Sequence, residues 1–286
     1  MIIIRLKGGL GNQLFGYALG RALSSKGHAV KFDCLTGFER DYRYRRTFEL
    51  DWLLDDKEKL NNKGFLARFF SYIIFKTIQF TRISYIGNSE ARFDLDILKL
   101  TKNKFYYLDG YWFGEEYFKD INHLLKKELK EKIYKSSREV TFNAPHVDEI
   151  AVHIRIYESS NVEYELENYY KFLTNALIEM GKSKKSKLTI FTNLPVEVER
   201  FFSIEFPNRT FSAAQLSPIE DMIKLSQYKY VIGSCSTYSW WALYLAELNQ
   251  AEVYLPAEKI KHSEFKWGFE GLVPYRWRCG HGNGKI

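Results

Sequence analysis

A histidine and an arginine alternate with apolar residues in residues 152–156, which read VHIRI. Side chains point alternately to the two faces of a β-strand, so a strand here would place His153 and Arg155 on one face and the aliphatic residues on the other. A guanidinium can hold phosphate oxygens through two parallel hydrogen bonds. The pair is typical of an anion-binding site, and a structural ion-pair site would use the same residue types.

Two turns rich in small residues follow apolar runs, at residues 8–13 (GGLGNQ) and at residues 233–239 (GSCSTYS). Between a strand and a helix, such turns allow backbone N–H groups and the helix N-terminus to hold a phosphate. Asn12 and the hydroxyl groups of the second turn are equally suited to ordinary helix capping. Both turns are therefore candidate phosphate sites, with capping as the alternative.

The first turn matches a dinucleotide-binding fingerprint in part. Gly9 and Gly11 have the spacing of its first two glycines, and Asp33 stands where an acid that binds a ribose would stand. Leu14 occupies the position of the third glycine, which the fingerprint needs for close packing of helix and strand. A nicotinamide or flavin enzyme is therefore disfavoured.

These candidate residues need elements that position them, and the hydrophobic pattern predicts an α/β protein. Strands are predicted at residues 1–7, 29–34, 150–156, 187–192, 230–233 and 251–255. Helices are predicted over 14–23, 166–180, 217–227 and 238–248. Ser217, Pro218 and Glu220 form a helix start with a capping box, and Gly27 is placed as a C-terminal glycine.

Composition limits the class of protein. The chain has 286 residues, 45% of them hydrophobic, which is too many core formers for a disordered chain. Its three cysteines are far apart and include no CxxC pair, so a disulfide framework or a zinc site of the usual spacing is not expected. The net charge of +7 fits either an anionic partner or ordinary solvated lysine faces.

The chain is long enough for two domains, and we predict a boundary near residue 145. Residues 65–80 are the most apolar stretch, and Arg68 and Lys76 interrupt it. A buried helix is the favoured interpretation, and an interfacial helix that touches an anionic membrane is the alternative. Because the N-terminus is typical of a strand and not of a signal peptide, we expect a cytoplasmic protein, with 65–80 as the candidate contact to the inner leaflet.

Three blocks, read in order, resemble the signatures of the bacterial family 11 glycosyltransferases, the α-1,2-fucosyltransferases. They are GGLGNQLFGYA at 8–18, VHIR at 152–155 and GSCSTYSWWA at 233–242. The first is similar to the family's GGLGNQxFQYA and the third to its SNSSFSWWAAWL. The likeness extends over almost the whole chain.

The resemblance implies a GT-B fold with two Rossmann-like domains that face a central cleft. Residues 1–145 would be the acceptor-side domain, and residues 146–286 would bind the donor GDP-β-L-fucose. The implied reaction inverts the anomeric carbon, needs no metal or other cofactor, and transfers fucose to O2 of a terminal β-galactose, for example on a lipid-linked O-antigen unit.

The resemblance also implies roles for single residues. Arg155 would bind the β-phosphate and neutralise the departing GDP, while His153 and Asp221 would read the guanine. The diphosphate would be held by the start of the helix near residue 237, and two residues of the N-terminal domain would reach the donor. These further donor-binding residues are Ser236, Thr237, Tyr238, Gly11 and Asn12.

The sequence departs from the family pattern at the site. Where the family usually has HxRRGDY, this chain has Ile156 in place of the second arginine and Glu158 in place of the aspartate. Asn193-Leu194 stands where the family usually has two acidic residues. These departures leave open a different acceptor or donor, and also a non-catalytic binder of nucleotide or nucleic acid. Glu158 and Glu163 are the nearby carboxylates that could act as a base toward the attacking hydroxyl.

The residues 94–96 form a DxD, the motif by which one class of glycosyltransferases holds a metal. They precede an apolar run, so helix capping is the favoured explanation. We expect no metal site in this chain.

Overall fold

Two parallel β-sheets organise the chain, one in each of two units, Met1–Glu139 and Val140–Ile286. The structure is a computed structural model, and it describes residues 1–39, 41–42, 44–60, 72–73, 75–80, 84–89, 93–136, 146–157, 161–212, 217–256 and 272–280. The acceptor and donor roles assigned to residues 1–145 and 146–286 stay predictions.

The sheet of the N-terminal unit has four strands among the described residues, all parallel, in the order β2-β1-β4-β3. Parallel strands buried on both faces need nearly continuous apolar runs, and the apolar start of the chain supplies the central strand β1. The strands are β1 (Ile2–Arg5), β2 (Val30–Asp33), β3 (Tyr85–Asn88) and β4 (Tyr106–Gly110).

Helix α1 (Leu10–Ser25) connects β1 to β2 and packs closely on the sheet. A Cβ on Gly20 would lie 2.4 Å from the ring of Phe32, so the close approach of helix and strand requires glycine there. Gly27 follows the end of the helix, and its φ of +86° is a left-handed conformation that glycine adopts without strain. The unit also contains α2 (Asn122–Ser136) and short 3₁₀ turns at Asp56–Glu58, Leu95–Lys99, Glu115–Tyr117 and Lys119–Ile121.

The sheet of the C-terminal unit has six parallel strands among the described residues, in the order β10-β9-β8-β5-β6-β7. Its apolar core includes Val152, Ile154 and Ile156, each at most 2% exposed. The strands are β5 (His146–Ile154), β6 (Leu188–Thr192), β7 (Arg209–Phe211), β8 (Tyr228–Ile232), β9 (Glu252–Pro256) and β10 (Arg278–Gly280).

Among the residues that the structure describes, four helices connect these strands: α3 (Val162–Glu179), α4 (Pro195–Phe202), α5 (Pro218–Leu225) and α6 (Thr237–Glu247). The capping box predicted for α5 is present, with the Ser217 hydroxyl accepting from the Glu220 N–H. Trp240 and Trp241 on α6 are fully buried, as expected for residues that pack against the sheet.

The predicted α/β class is confirmed, and so are the strands and helices predicted from the hydrophobic pattern, within a few residues at their ends. The pattern missed β3, β4, β7 and β10, which have three to five residues each, and the helices α2 and α4. Short strands give too few alternations to be recognised, and α2 (NHLLKKELKEKIYKS) has few apolar residues among many lysines and glutamates.

The apolar stretch at residues 65–80 lies partly outside the described residues, since 61–71 and 74 are not described. Residues 75–80 are helical, and Phe75 packs in a small cluster with Ile3 and Tyr107. Phe80 is 89% exposed. No helix in the described part of the chain is long and apolar enough to cross a bilayer. The predicted contact with the membrane surface stays a prediction.

Candidate functional site

The two candidate anion-binding segments of the C-terminal half lie at the carboxyl ends of neighbouring strands. The segment of His153 and Arg155 belongs to the end of β5, and the turn at 233–236 follows β8, which pairs with β5. The chain moves from β5 to β6 and β7 on one side, and then returns to place β8 on the other side of β5. In open α/β sheets, ligands bind outside the carboxyl ends of the strands where the strand order reverses in this way. The fold therefore brings both segments to the expected ligand position.

His153 is almost completely buried and joins the two segments. Its Nδ1 lies 3.0 Å from the Ser234 hydroxyl and 2.5 Å from the Ser239 hydroxyl. The Ser239 hydroxyl also accepts the Ser234 N–H at 2.9 Å. The imidazole therefore fixes the shape of the turn after β8.

Burial, and secondarily the charge of Arg155, lower the pKa of His153 from 6.5 to about 3. The imidazole is consequently neutral at physiological pH. A neutral ring carries one N–H donor and one acceptor nitrogen, so the Nδ1 contacts with the serines determine what Nε2 can offer a ligand.

The lowered pKa predicts an acid-sensitive fold. In the unfolded chain, His153 takes up a proton as the pH falls through 6.5, whereas the folded chain keeps it neutral down to about pH 3. The unfolded state then binds more protons, so the free energy of unfolding should fall as the pH is lowered across this window. Urea unfolding between pH 7.5 and 4 would measure this dependence for the protein and for His153→Gln, whose slope should be smaller. His123, which is exposed, provides the matched variant His123→Gln, and an equal slope in the protein and in His153→Gln would contradict the prediction.

Arg155 lies just beyond the end of β5 and is partly buried. Its guanidinium carbon is 5.4 Å from the centre of the Tyr157 ring, within the range of a cation–π contact. The Tyr157 hydroxyl donates to the carbonyl of Cys235 at 3.4 Å, and the Tyr169 hydroxyl donates to the carbonyl of Arg155 at 2.9 Å. The Arg155 guanidinium therefore contacts the Tyr157 ring, and the Tyr157 hydroxyl is hydrogen-bonded to the turn after β8.

The N-terminus of α6 lies at the same edge. Ser236 is its N-cap, and the Ser236 hydroxyl accepts the Ser239 N–H at 3.0 Å. Thr237 is the first helical residue and is partly exposed. The start of a helix carries partial positive charge and N–H groups without helical partners, which suits an anion.

Tyr238 connects this turn to α5. Its ring centre is 5.0 Å from that of His153, and its hydroxyl donates to the carbonyl of Pro218 at 2.7 Å. Asp221 lies one turn further along α5 and accepts a long hydrogen bond of 3.5 Å from the Ser212 hydroxyl. Burial raises the pKa of Asp221, and Lys224 partly offsets this. Asp221 therefore lies on a helix whose start is bonded to the Tyr238 side chain, next to the turn after β8. Its predicted contact with guanine stays a prediction.

The two carboxylates predicted as bases have different outcomes. Glu158 lies outside the described residues. Glu163 is exposed in the first turn of α3, which Asn161 caps by accepting the Tyr164 N–H at 3.1 Å. Glu163 is well placed to stabilise that helix start, and its predicted catalytic role stays untested.

In the N-terminal unit, the structure corrects the extent of the glycine turn. Helix α1 begins at Leu10, so Gly11 is buried inside the first helical turn and is not part of a loop. Asn12 lies over Gly8, where a Cβ would be 2.4 Å from the Asn12 amide nitrogen. Gln13, to which the sequence analysis assigned no role, is fully buried, and its amide nitrogen donates to the carbonyls of Gly8 and Thr47 at 2.9 Å. Gln13, within the block at residues 8–18, therefore holds the turn at Gly8 and the segment at Thr47 together.

The two alternatives weighed for this unit have structural explanations. The Asp33 carboxylate accepts hydrogen bonds from the hydroxyls of Thr36 and Tyr107, at 2.6 and 2.5 Å, and is only 3% exposed. The Asp33 carboxylate therefore binds groups of the protein itself, and these contacts explain its position without a ribose. Asp94 caps the 3₁₀ turn at Leu95–Lys99 by accepting the Asp96 N–H at 2.9 Å, which agrees with capping as the explanation of the DxD.

No cluster of three or more His, Cys, Asp or Glu side chains suited to a metal occurs in the described ranges. The groups gathered at the end of β5 and β8 are an imidazole, a guanidinium, hydroxyls and a helix start. These groups bind anions through hydrogen bonds and charge.

Sequence reasoning missed two residues that shape this edge, Tyr157 and Tyr169, and it noted Asn193 only as a departure from the family pattern. Tyr157 could have been found, because it is two residues after Arg155 in an extended segment and so on the same side. Tyr169 is on the apolar face of α3, where a buried phenol usually seeks a hydrogen-bond partner. The Asn193 side chain contacts Ile156, a pairing that requires knowledge of which strands are neighbours.

The sequence profile of Glycosyl transferase family 11 matches residues 73–277, and the chain belongs to this family of glycosyltransferases. It is 27% identical to an α-1,2-colitosyltransferase of Escherichia coli, over 92% of this chain and 94% of the relative. Among solved structures, it is similar to the E. coli heptosyltransferase WaaC with ADP-2-deoxy-2-fluoro heptose, with 10% identity, 98% and 92% coverage of the two chains and a TM-score of 0.42. It is also similar to POFUT1 in complex with GDP, with 9% identity, 85% and 93% coverage and a TM-score of 0.43.

Proposed function

We propose that this family 11 enzyme is an inverting, metal-independent α-1,2-fucosyltransferase that moves L-fucose from GDP-β-L-fucose to O2 of a terminal β-galactose. The observation that carries the proposal is that Arg155, His153 and the start of α6 lie together at the carboxyl ends of β5 and β8. Family membership supports glycosyl transfer.

The proposed chemistry needs little from the protein beyond charge and position. Breaking the bond to GDP leaves an oxocarbenium-like sugar and a diphosphate with growing negative charge. Arg155 and the N–H groups at the start of α6 are fixed donors, and such donors stabilise developing charge without reorganising. The acceptor hydroxyl needs orientation and, at most, a base, for which Glu158 and Glu163 are the proposed candidates.

A second donor sugar has specific support. The curated relative transfers colitose in an α-1,2 linkage, and this chain departs from the family pattern at Ile156 and Asn193. Colitosyl transfer from a GDP-linked donor is therefore the alternative within the same reaction class. The acceptor in either case is proposed to be a galactose-terminated glycan, such as a lipid-linked O-antigen unit, used at the cytoplasmic side of the membrane.

Purified protein incubated with a panel of nucleotide sugars tests the proposal. We expect transfer from GDP-fucose or GDP-colitose to a β-galactoside, unchanged by EDTA, and no transfer from UDP-galactose. Product analysis by NMR should show an α linkage to O2. Strict dependence on Mn²⁺, or use of the UDP-sugar with no use of either GDP-sugar, would overturn the proposal.

A further inference from the structure

The three residues after β5 leave the ladder of the sheet. The last residue of β5, Ile154, pairs with Thr192 on β6, and on the other side the pairing with β8 ends at Val152. Residues 155–157 therefore need other partners for their backbone groups. Side chains provide these partners. Tyr169 donates to the carbonyl of Arg155, and Asn193 bonds to both the N–H and the carbonyl of Ile156.

The Asn193 amide forms a closed pair of hydrogen bonds with Ile156. Its Oδ1 accepts the Ile156 N–H at 3.0 Å, and its Nδ2 donates to the Ile156 carbonyl at 2.9 Å. Asn193 is the residue directly after β6, so the pair extends the contact between the two strands by one residue. Only a side chain with one donor and one acceptor at this separation can make both bonds, and an aspartate carboxylate can make only the first.

This contact joins two of the departures from the family pattern. Ile156 stands where the family has its second arginine, and Asn193 stands in the place of an acid. The Ile156 side chain is 1% exposed and lies in the apolar core, so position 156 faces away from the Arg155 side. The amide at 193 holds the backbone at 156, whereas the side chain at 156 only fills the core.

We infer that Asn193 is a positioning residue for Arg155, holding the peptide group that follows it so that the guanidinium stays over Tyr157 and faces the diphosphate. The inference rests on the proposed GDP-sugar donor. It assigns to Asn193 an effect that is specific to the β-phosphate, because Arg155 is the group that would bind that phosphate.

Binding of GDP and GMP, measured by calorimetry, tests the inference without an acceptor. The protein should prefer GDP over GMP, which lacks the β-phosphate. Asn193→Asp loses the bond to the Ile156 carbonyl and places two oxygens against each other, so GDP affinity should fall by about tenfold, as for the loss of one good hydrogen bond, with GMP affinity unchanged. Asn193→Ser has a side chain too short to span the Ile156 N–H and carbonyl, so it should also lower GDP affinity with GMP affinity unchanged, and it does so without introducing a charge.

Asn208→Asp is the matched control. The Asn208 amide also donates to a backbone carbonyl, that of Lys185 at 2.6 Å, in the same unit, and this variant should keep the preference for GDP. If Asn193→Asp and Asn193→Ser keep the preference, or lose GDP and GMP affinity equally, Asn193 does not act through Arg155 and the inference is overturned while the proposed function stands. If the protein itself binds neither nucleotide, the proposed function fails, and the inference fails with it.

Discussion

Replacing Arg155 with alanine should lower turnover by at least about a hundredfold, the loss typical for removing one preorganised donor of a transition state. The guanidinium lies over Tyr157 beside the turn that begins α6, where the leaving diphosphate is proposed to bind. Without it, the growing negative charge of the departing GDP would lose its cationic partner. Steady-state kinetics with saturating donor would measure the change in kcat.

The control for this prediction is Arg200→Ala, since Arg200 is an exposed arginine in the last turn of α4. It should have unchanged kcat, which separates loss of the specific cation from loss of net charge. Arg155→Lys should recover part of the activity, because an ammonium keeps the charge but not the two-pronged geometry. Near-normal activity of Arg155→Ala would remove this residue from the mechanism.

Replacing Ser239 with alanine should lower the free energy of unfolding by about 2 kcal/mol, because the buried Ser234 N–H loses its hydrogen-bond partner and His153 Nδ1 loses one of its two. The Ser239 hydroxyl is fully buried, contacts His153 Nδ1 and accepts the Ser234 N–H. Donor affinity should fall as well, since the turn that precedes α6 loses its internal support. Urea unfolding and nucleotide calorimetry would measure the two effects.

Ser203→Ala is the matched substitution. The Ser203 hydroxyl donates to the carbonyl of Arg200 at 3.2 Å at the solvent-facing end of α4, so its loss should change stability by less than about 0.5 kcal/mol. Equal stability losses in Ser239→Ala and Ser203→Ala would show that the buried network contributes no more than an ordinary surface bond.

The candidate site could be predicted where its signals were local. The alternation in VHIRI is a property of a few residues, and the burial of Ile154 and Ile156 in the core confirms the apolar face. The start of α5 was also readable, because a capping box involves residues only three apart. Local signals of this kind do not depend on the rest of the fold.

The extent of the first glycine turn was not predicted correctly. Gly11 was expected in a loop, whereas the helix begins at Leu10, four residues before its predicted start. Gln13 supplies the reason, because its buried amide bonds to Gly8, Thr47 and the N–H of Glu49 and so secures the loop from within the helix. Hydrogen bonds between a side chain and backbone groups more than 30 residues away cannot be predicted from the hydrophobic pattern of neighbouring residues.

The sequence by itself determined the elements next to the candidate site (β5, β8, α5 and α6) and the residue types that could bind an anion, because helix and strand periodicity and capping act over a few residues. Only the tertiary structure decided which of those residues meet. His153 reaches Ser239 across 86 residues, and Asn193 reaches Ile156 across 37, because the strand order places β8 and β6 on either side of β5. That order follows from burying all six strands together, a balance over the whole chain that no short segment contains.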